Sequence, residues 1–226
     1  PFCPRPFDEL AVRVGIRPED ALETLRAWHE ERKLREISAV LEGSLLGYES
    51  ALCAARVPES DLDRVAEVVN AHPTVTHNYE RRHAYNLWFT IAVPHAMGLD
   101  ETLARLEARS GVCILPARRT QTFKIGVNFD LLSLESRTAA REPEDAPEAA
   151  PFQPTAREER FFRVLQSPLP LVERPFAVLA DQAECPENEL LDFARRHLGG
   201  AIRRYVATFR QRHLGVRGNA MVVWRV

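Results

Sequence analysis

Slid over itself by about 168 residues, the chain matches itself, and this constrains its fold more than any other feature, because a duplicated sequence builds one unit twice. Pro6-Phe7 and Leu10-Ala11 fall on Pro175-Phe176 and Leu179-Ala180, and after one deletion Pro18-Glu19 falls on Pro186-Glu187. Farther on, Leu34 to Ala39 aligns with Ile202 to Ala207, and Leu46-Gly47 with Leu214-Gly215. Before the second Pro-Phe pair stands an amphipathic segment, Thr155 to Gln166, that has no counterpart before the first. At the other end, Asn219 to Val226 matches Ala51 to Pro58, which in copy one only opens a much longer stretch, so the chain reads as partial at both ends.

Within copy one, Glu19 to Arg32 carries Ala21, Leu22, Leu25 and Trp28 at helical spacing, behind a Pro18 suited to a first turn. A short helix over 7–14 and an extended wing near 35–48 complete a winged helix-turn-helix pattern, repeated over 155–214. Residues 50–130 read as strand, helix, hairpin, helix, strand, the order of a ferredoxin-like βαββαβ unit. In that reading Ala51 to Val57 is a strand, Glu59 to Asn70 a helix, Val75 to Arg81 and Tyr85 to Val93 a hairpin, Leu99 to Arg109 a helix and Val112 to Val127 extended. The fold class is therefore α+β, a tandem of winged helix-turn-helix plus ferredoxin-like module. The expected domains are a first helix-turn-helix over 1–48, a ferredoxin-like domain over 49–135, a linker rich in Ala, Pro and Glu over 136–154, a second helix-turn-helix over 155–217, and the first strand of a truncated second ferredoxin-like domain over 218–226.

Composition narrows the function. A net charge of −2 lacks the basic excess of a general nucleic-acid binder, and no apolar run reaches the roughly 20 residues of a bilayer span. Of 30 basic residues only Lys33 and Lys124 are lysines; an arginine-rich codon bias is the plainer reading, and recognition of carboxylates by planar guanidiniums the sharper one. Cys3, Cys53, Cys113 and Cys185 have no metal-site spacing and read as reduced thiols, with no metal centre expected. Pro1 to Pro6 has neither the charged start nor the apolar stretch of a secretory signal, so a cytoplasmic location is expected, the missing initiator Met placing the true start upstream.

A winged helix beside a small ferredoxin-like domain resembles the feast/famine regulators, which implies transcription control. Charge argues otherwise: the expected recognition helices begin with Glu19, Asp20 and Glu23, and with Glu187, Glu189 and Asp192, where a DNA reader needs to approach phosphate. Arg195, Arg196, Arg203 and Arg204 are the available basic patch, yet neither helix-turn-helix is expected to bind duplex DNA tightly.

The densest cluster of unusual residues is His77 to Thr90. Strand alternation puts His77 and Tyr79 on one face and Asn86 and Trp88 on one face of the next strand, with Arg81, Arg82 and His83 at the turn. One end of the sheet thus gathers imidazoles, guanidiniums, a phenol, an amide and an indole; an aromatic-rich hairpin with a polar turn is the plainer reading of the same pattern.

The stretch His77 to Thr90 resembles the signature of the siroheme decarboxylases. The likeness extends to Gly47-Tyr48, Val69 to Pro73, Phe123 to Val127, Phe129 to Leu131, and Gly215 with Asn219 to Trp224. It implies removal of two acetate carboxyl groups from siroheme, leaving methyl groups, in haem d1 or alternative haem biosynthesis. No cofactor is implied beyond the iron of the substrate. Carbanion protonation then calls for a general acid, His83 first, with Tyr85 orienting it or donating instead and His77 as second candidate. Arg81, Arg82, Arg118, Arg119 and Lys124 would hold carboxylates, Asn86 would contact substrate, and Trp88 would stack on the macrocycle. The resemblance also implies a partnership, either a pseudo-dimer of the chain's own modules or a homologous decarboxylase subunit, sheets packed together over Leu52, Val57 and Phe89, with neither DNA nor membrane as partner. The rival readings are a tetrapyrrole-responsive regulator of the feast/famine type and a non-catalytic partner module.

Overall fold

The computed structural model describes residues 2–118, 125–129, 136–140 and 152–215. In chain order the elements are α1 (Pro6–Val14), α2 (Pro18–Glu30), β1 (Leu34–Leu41), β2 (Tyr48–Ala55), α3 (Leu62–Asn70), β3 (Val75–Glu80), β4 (Leu87–Pro94), α4 (Leu99–Ser110) and β5 (Ile114–Arg118). They continue with β6 (Ile125–Phe129), β7 (Ser136–Ala140), α5 (Ala156–Gln166), α6 (Pro175–Gln182), α7 (Glu187–His197) and β8 (Ile202–Phe209). The chain forms two compact units, one from the described parts of Pro1–Glu42 and Gln153–Val226, the other from Gly43–Phe152.

The first unit holds both copies of the helix-turn-helix. Pro6 and Pro18 stand in the first turns of α1 and α2, where a missing N–H costs nothing, and Gly15 at φ +73° closes α1 in the left-handed conformation. Ala21, Leu22 and Leu25 are buried as their spacing requires, whereas Trp28 remains 38% exposed with its ring edge-on to Phe209, 6.0 Å between centroids. A Thr155/Glu158 capping box starts α5, whose Phe161 and Phe162 pack edge-on against Phe193 of α7. Because copy one has no equivalent of α5 among the described residues, equivalent leucines differ in burial: Leu10 is 38% exposed and Leu179 is 1%.

The expected wing takes a form that periodicity did not indicate. Instead of folding back within its own copy, β1 pairs antiparallel with β8. Ser38 lies opposite Val206, its own equivalent in the repeat, and Ile37–Ala207 and Ala39–Tyr205 are mirror pairings about that centre. Such reciprocity is the mark of an isologous contact, here inside one polypeptide. Arginines of the two helix-turn-helix copies also reach across, from positions one residue apart in the repeat: Arg26 Nε donates to the Leu171 carbonyl at 2.9 Å, and Arg195 Nε to the Phe2 carbonyl at 2.9 Å.

In the second unit the sheet order is β3-β4-β2-β5, all neighbours antiparallel, the order of a ferredoxin-like βαββαβ fold. Ala51, Cys53 and Ala55 of β2 with Leu87, Phe89, Ile91 and Val93 of β4 form one face of the core, closed by Val65 and Val69 of α3 and Leu99, Leu103 and Leu106 of α4. Val57 and Phe89, expected on the open face, belong to this core, because Phe89 shares its alternation with Leu87 and Ile91. Of the extended structure expected over 112–127, Ile114–Arg118 is β5 of the sheet and Ile125–Phe129 is β6, which pairs with β7, while 119–124 lie outside the described residues. Ser136–Ala140, expected to begin the linker, is thus a strand; main-chain pairing needs no apolar side chains, so composition gave no sign of it. The strand expected over 218–226 lies outside the described residues. Among the described residues no helix is long and apolar enough to cross a membrane.

Two consequences are measurable. Burial pushes the Cys53 thiol up to about 12, while Cys113 is exposed, and only a thiolate is alkylated. Brief iodoacetamide treatment of native protein at pH 8 should modify Cys113 and spare Cys53 until denaturant is added; peptide mass mapping checks this. The Tyr205 hydroxyl is buried without a hydrogen-bond partner, in a ring cluster with Phe2 and Phe176. Tyr205→Phe should therefore leave stability unchanged or raise it by up to about 1 kcal/mol, read from the urea midpoint.

Candidate functional site

The face of the sheet opposite the helices carries the candidate residues. A bulge sets two residues of β3, between Val75 and His77, against one residue of β4. Thr76 and His77 accordingly both meet Thr90: Thr76 Oγ1 to Thr90 Oγ1 is 2.8 Å, and His77 Nδ1 lies 3.1 Å from Thr76 Oγ1 and 3.4 Å from Thr90 Oγ1. The imidazole stacks on Tyr79 at 5.9 Å and an interplanar angle of 29°. Ser50, Leu52, Thr76, His77, Thr90 and Ala117 line a shallow concavity on this face.

Between β3 and β4 the residues Arg81–Asn86 form a loop closed by Arg81 N–H donating to the Asn86 carbonyl at 2.8 Å. Inside it, His83 N–H donates to the Arg81 carbonyl at 2.9 Å, and Tyr85 N–H donates to His83 Nδ1 at 3.1 Å. Nδ1 acts there as the acceptor, which leaves Nε2 facing away from this hydrogen bond. The His83 and Tyr85 rings run nearly parallel, 20° apart at 6.3 Å. Trp88 is half-buried and its Nε1–H donates to the Tyr85 carbonyl at 2.8 Å, tying the loop to the first turn of β4. The Arg81 guanidinium lies 4.8 Å from the centre of the Tyr79 ring and donates to the Glu80 carbonyl at 3.0 Å; Arg82 is exposed.

Asn86 does something its sequence position did not suggest. Its Oδ1 accepts from Val57 N–H and its Nδ2 donates to the Val57 carbonyl, both at 2.8 Å. With both ends of the amide engaged by a buried backbone, Asn86 is a structural clasp rather than the substrate contact expected of it. The clasp fixes Arg56, whose guanidinium sits 5.5 Å from the centre of the Tyr85 ring. Arg56 was missed in the sequence, although it continues the alternation of Leu52 and Ala54 on β2.

Arg81, Arg82, His83, Tyr85 and Trp88 therefore share one end of one sheet, while His77 lies farther along β3, opposite Thr90. Arg118 does not join them: it ion-pairs with Glu49 and with Asp100 at the start of α4, on the helix side of the sheet. Arg119 and Lys124 lie outside the described residues. Arg5, Arg13, Arg17, Arg64, Arg105, Arg118, Arg157, Arg160, Arg174 and Arg195 all face a carboxylate. Arg56, Arg81 and Arg82, like Arg109 and several arginines of the other unit, make no ion pair among the described residues, and these three put positive charge in and beside the loop.

Comparison with known proteins gives three similarities. Residues 45–124 match the AsnC-like ligand-binding domain and residues 158–203 the siroheme decarboxylase NirDL-like helix-turn-helix domain. The chain is 39% identical over 229 residues to a siroheme decarboxylase of Hydrogenobacter thermophilus, covering 100% of this chain and 67% of that protein. It is 33% identical over 227 residues to the siroheme decarboxylase NirDL subunit of Paracoccus denitrificans, covering 100% and 68%. The fold matches a crystal structure of the siroheme decarboxylase NirDL with a TM-score of 0.68 at 33% identity, over 92% of this chain and 61% of that one. A structure of NirDL in complex with an iron-uroporphyrin III analogue matches equally. The chain thus spans about two thirds of the length of these curated relatives and 61% of the solved chain.

Removing the Asn86 clasp strands two buried backbone groups of Val57. Asn86→Ala should lower stability by about 1–3 kcal/mol, seen as a fall in urea midpoint at constant slope. An unchanged midpoint would show that the clasp carries no weight.

Proposed function

The chain belongs to the siroheme decarboxylase family, and on that premise we propose that it contributes an active site that converts acetate side chains of siroheme to methyl groups. The observation that carries the reading is the Arg81–Asn86 loop, where unneutralised guanidiniums flank an imidazole and aromatic rings at the end of an open sheet face. A polycarboxylated macrocycle needs charge-assisted, fork-shaped donors, and Arg81 and Arg82 supply them. Trp88 and Tyr85 offer flat surfaces for the ring.

Each cycle breaks the bond between a methylene carbon and its carboxylate. Carbon dioxide leaves, the electron pair stays on the methylene carbon, and one proton converts it to methyl; no electrons are exchanged. His83 provides that proton as the imidazolium. The hydrogen bond from Tyr85 N–H to Nδ1 orients the ring within the loop and leaves Nε2 as the nitrogen available to substrate. His77, bonded to Thr76 and Thr90, is the second candidate acid. The relatives named alpha, NirG and NirD subunits support a site completed by a second module, covalently linked or separate, over the open sheet face. No organic cofactor enters this scheme. Duplex DNA is left out of it, because carboxylates head both α2 and α7.

The test is anaerobic incubation of the complete protein with siroheme, followed by mass spectrometry. The expected product has lost two molecules of carbon dioxide; recovery of unchanged siroheme that nonetheless binds would favour a sensor or a non-catalytic partner. His83→Ala should slow single-turnover decarboxylation by about 10²- to 10⁴-fold while siroheme affinity stays nearly intact, because the proton transfer is made only in the transition state. Full activity in that variant would shift the role to His77 or Tyr85.

A further inference from the structure

We propose that Arg56 is a third carboxylate clamp of this site and that Asn86 is the residue that positions it. The inference deepens the siroheme reading and rests on it. Arg56 is exposed, yet it is not a loose surface side chain. The next residue, Val57, is buried and held at both its N–H and its carbonyl by Asn86, at 2.8 Å each. Immediately before Asn86 comes Tyr85, and the Arg56 guanidinium rests on that ring at 5.5 Å. One amide therefore fixes the base of the arginine and the base of its aromatic platform together.

The stacked guanidinium has its charge partly balanced by the ring face, while the N–H groups along its edge stay available for a planar, bidentate carboxylate. Among the described residues it has no carboxylate partner, unlike the ten arginines that do. Its platform, Tyr85, belongs to the loop that bears Arg81 and Arg82 and carries the amide that donates to His83 Nδ1. A substrate side chain bound to Arg56 is thereby set beside the proposed proton donor. Lysine would not serve: an ammonium lacks the fork and the flat face.

Binding is measured by spectral titration of the complete protein with siroheme and with two probes, iron-uroporphyrin, which is polycarboxylated, and a haem whose only acids are propionates. Arg56→Gln should raise the Kd for siroheme and iron-uroporphyrin about 10- to 100-fold, as expected for loss of a bidentate charged pair, and raise KM more than it lowers kcat. Haem affinity should change far less. Arg56→Lys should recover only part of the loss, which separates the fork from simple charge, and Asn86→Ala should reproduce the weaker binding at temperatures where it remains folded. If Arg56→Gln titrates like the unaltered protein with all three ligands, or if Arg56→Lys restores full affinity, the clamp is wrong. If the unaltered protein neither binds nor decarboxylates siroheme, the underlying reading fails, and that result is separate from any effect of the variants.

Discussion

A strand with a bare edge leaves a row of N–H and C=O groups to be satisfied, and that constraint organises both units of this chain. In the helix-turn-helix unit β1 and β8 form a two-stranded sheet, supplemented by Leu169 N–H donating to the Ile37 carbonyl and Gly199 N–H donating to the Ile202 carbonyl, and their equivalence in the repeat makes the register self-consistent about Ser38 and Val206. A slip of one residue would break every reciprocal pair and turn Ala39 and Ile202 out of the core. In the other unit β2 is bonded on both sides, to β4 and to β5, and ladder pairing with β4 ends at Ala55–Leu87. Asn86 then supplies from its side chain what a further peptide would have supplied, one acceptor and one donor for Val57. The ladder is extended by a single rung of amide, and the loop that bears the site is registered to the sheet by it.

Held in this way, the loop concentrates charge that folding alone does not favour. Exposed like charges repel one another by only about 1 kcal/mol at contact distances in water, and salt reduces this further. Stacking on Tyr79 and Tyr85 offsets part of it, cation–π contacts at exposed sites being worth about 0.5–1 kcal/mol. The arrangement is thus cheap enough to persist without a carboxylate from the protein, while a multiply charged anion gains from all the guanidiniums at once. His83 is tied to the same loop by the hydrogen bond that its Nδ1 accepts from Tyr85 N–H.

Periodicity located the elements well because burial on helices and strands repeats at 3.6 and 2 residues. The strand expected over 51–57 is Tyr48–Ala55, the hairpin over 75–93 is Val75–Glu80 with Leu87–Pro94, and the helices over 7–14 and 99–109 each run one residue longer. The cluster around His83 was legible for a similar reason, since a short hairpin must bring its turn residues together. What stayed hidden depended on partners far along the chain. No local pattern shows that β1 reaches β8, that Asn86 spends its amide on Val57, or that Arg118 is drawn to Glu49 and Asp100 on the helix side. Arg56 carried a signal, the alternation of Leu52 and Ala54, but its significance depends on Tyr85, 29 residues on and brought near by the clasp at Asn86.

Charge at the helix-turn-helix shows how a sound sequence argument changes its physical basis. Glu19 and Asp20 meet Arg17, Glu187 meets Arg174, Glu189 meets Arg157, and Asp192 meets Arg195. The starts of α2 and α7 are therefore closer to neutral than a count of acids implies, and simple repulsion of phosphate is weaker than supposed. The same pairs, however, occupy the arginines nearest those helix starts. Affinity for duplex DNA comes largely from cations that displace counterions from phosphate, so an arginine already neutralised within its own helix-turn-helix has little to contribute. Arg174 is the clearest case: its partner Glu187 is largely buried, and exchanging that carboxylate for a phosphate would strand a charge in the interior. The two copies have retained the helix-turn-helix shape while committing these cations to internal order, whereas Arg56, Arg81 and Arg82 of the other unit, without carboxylate partners among the described residues, stand at the His83 loop.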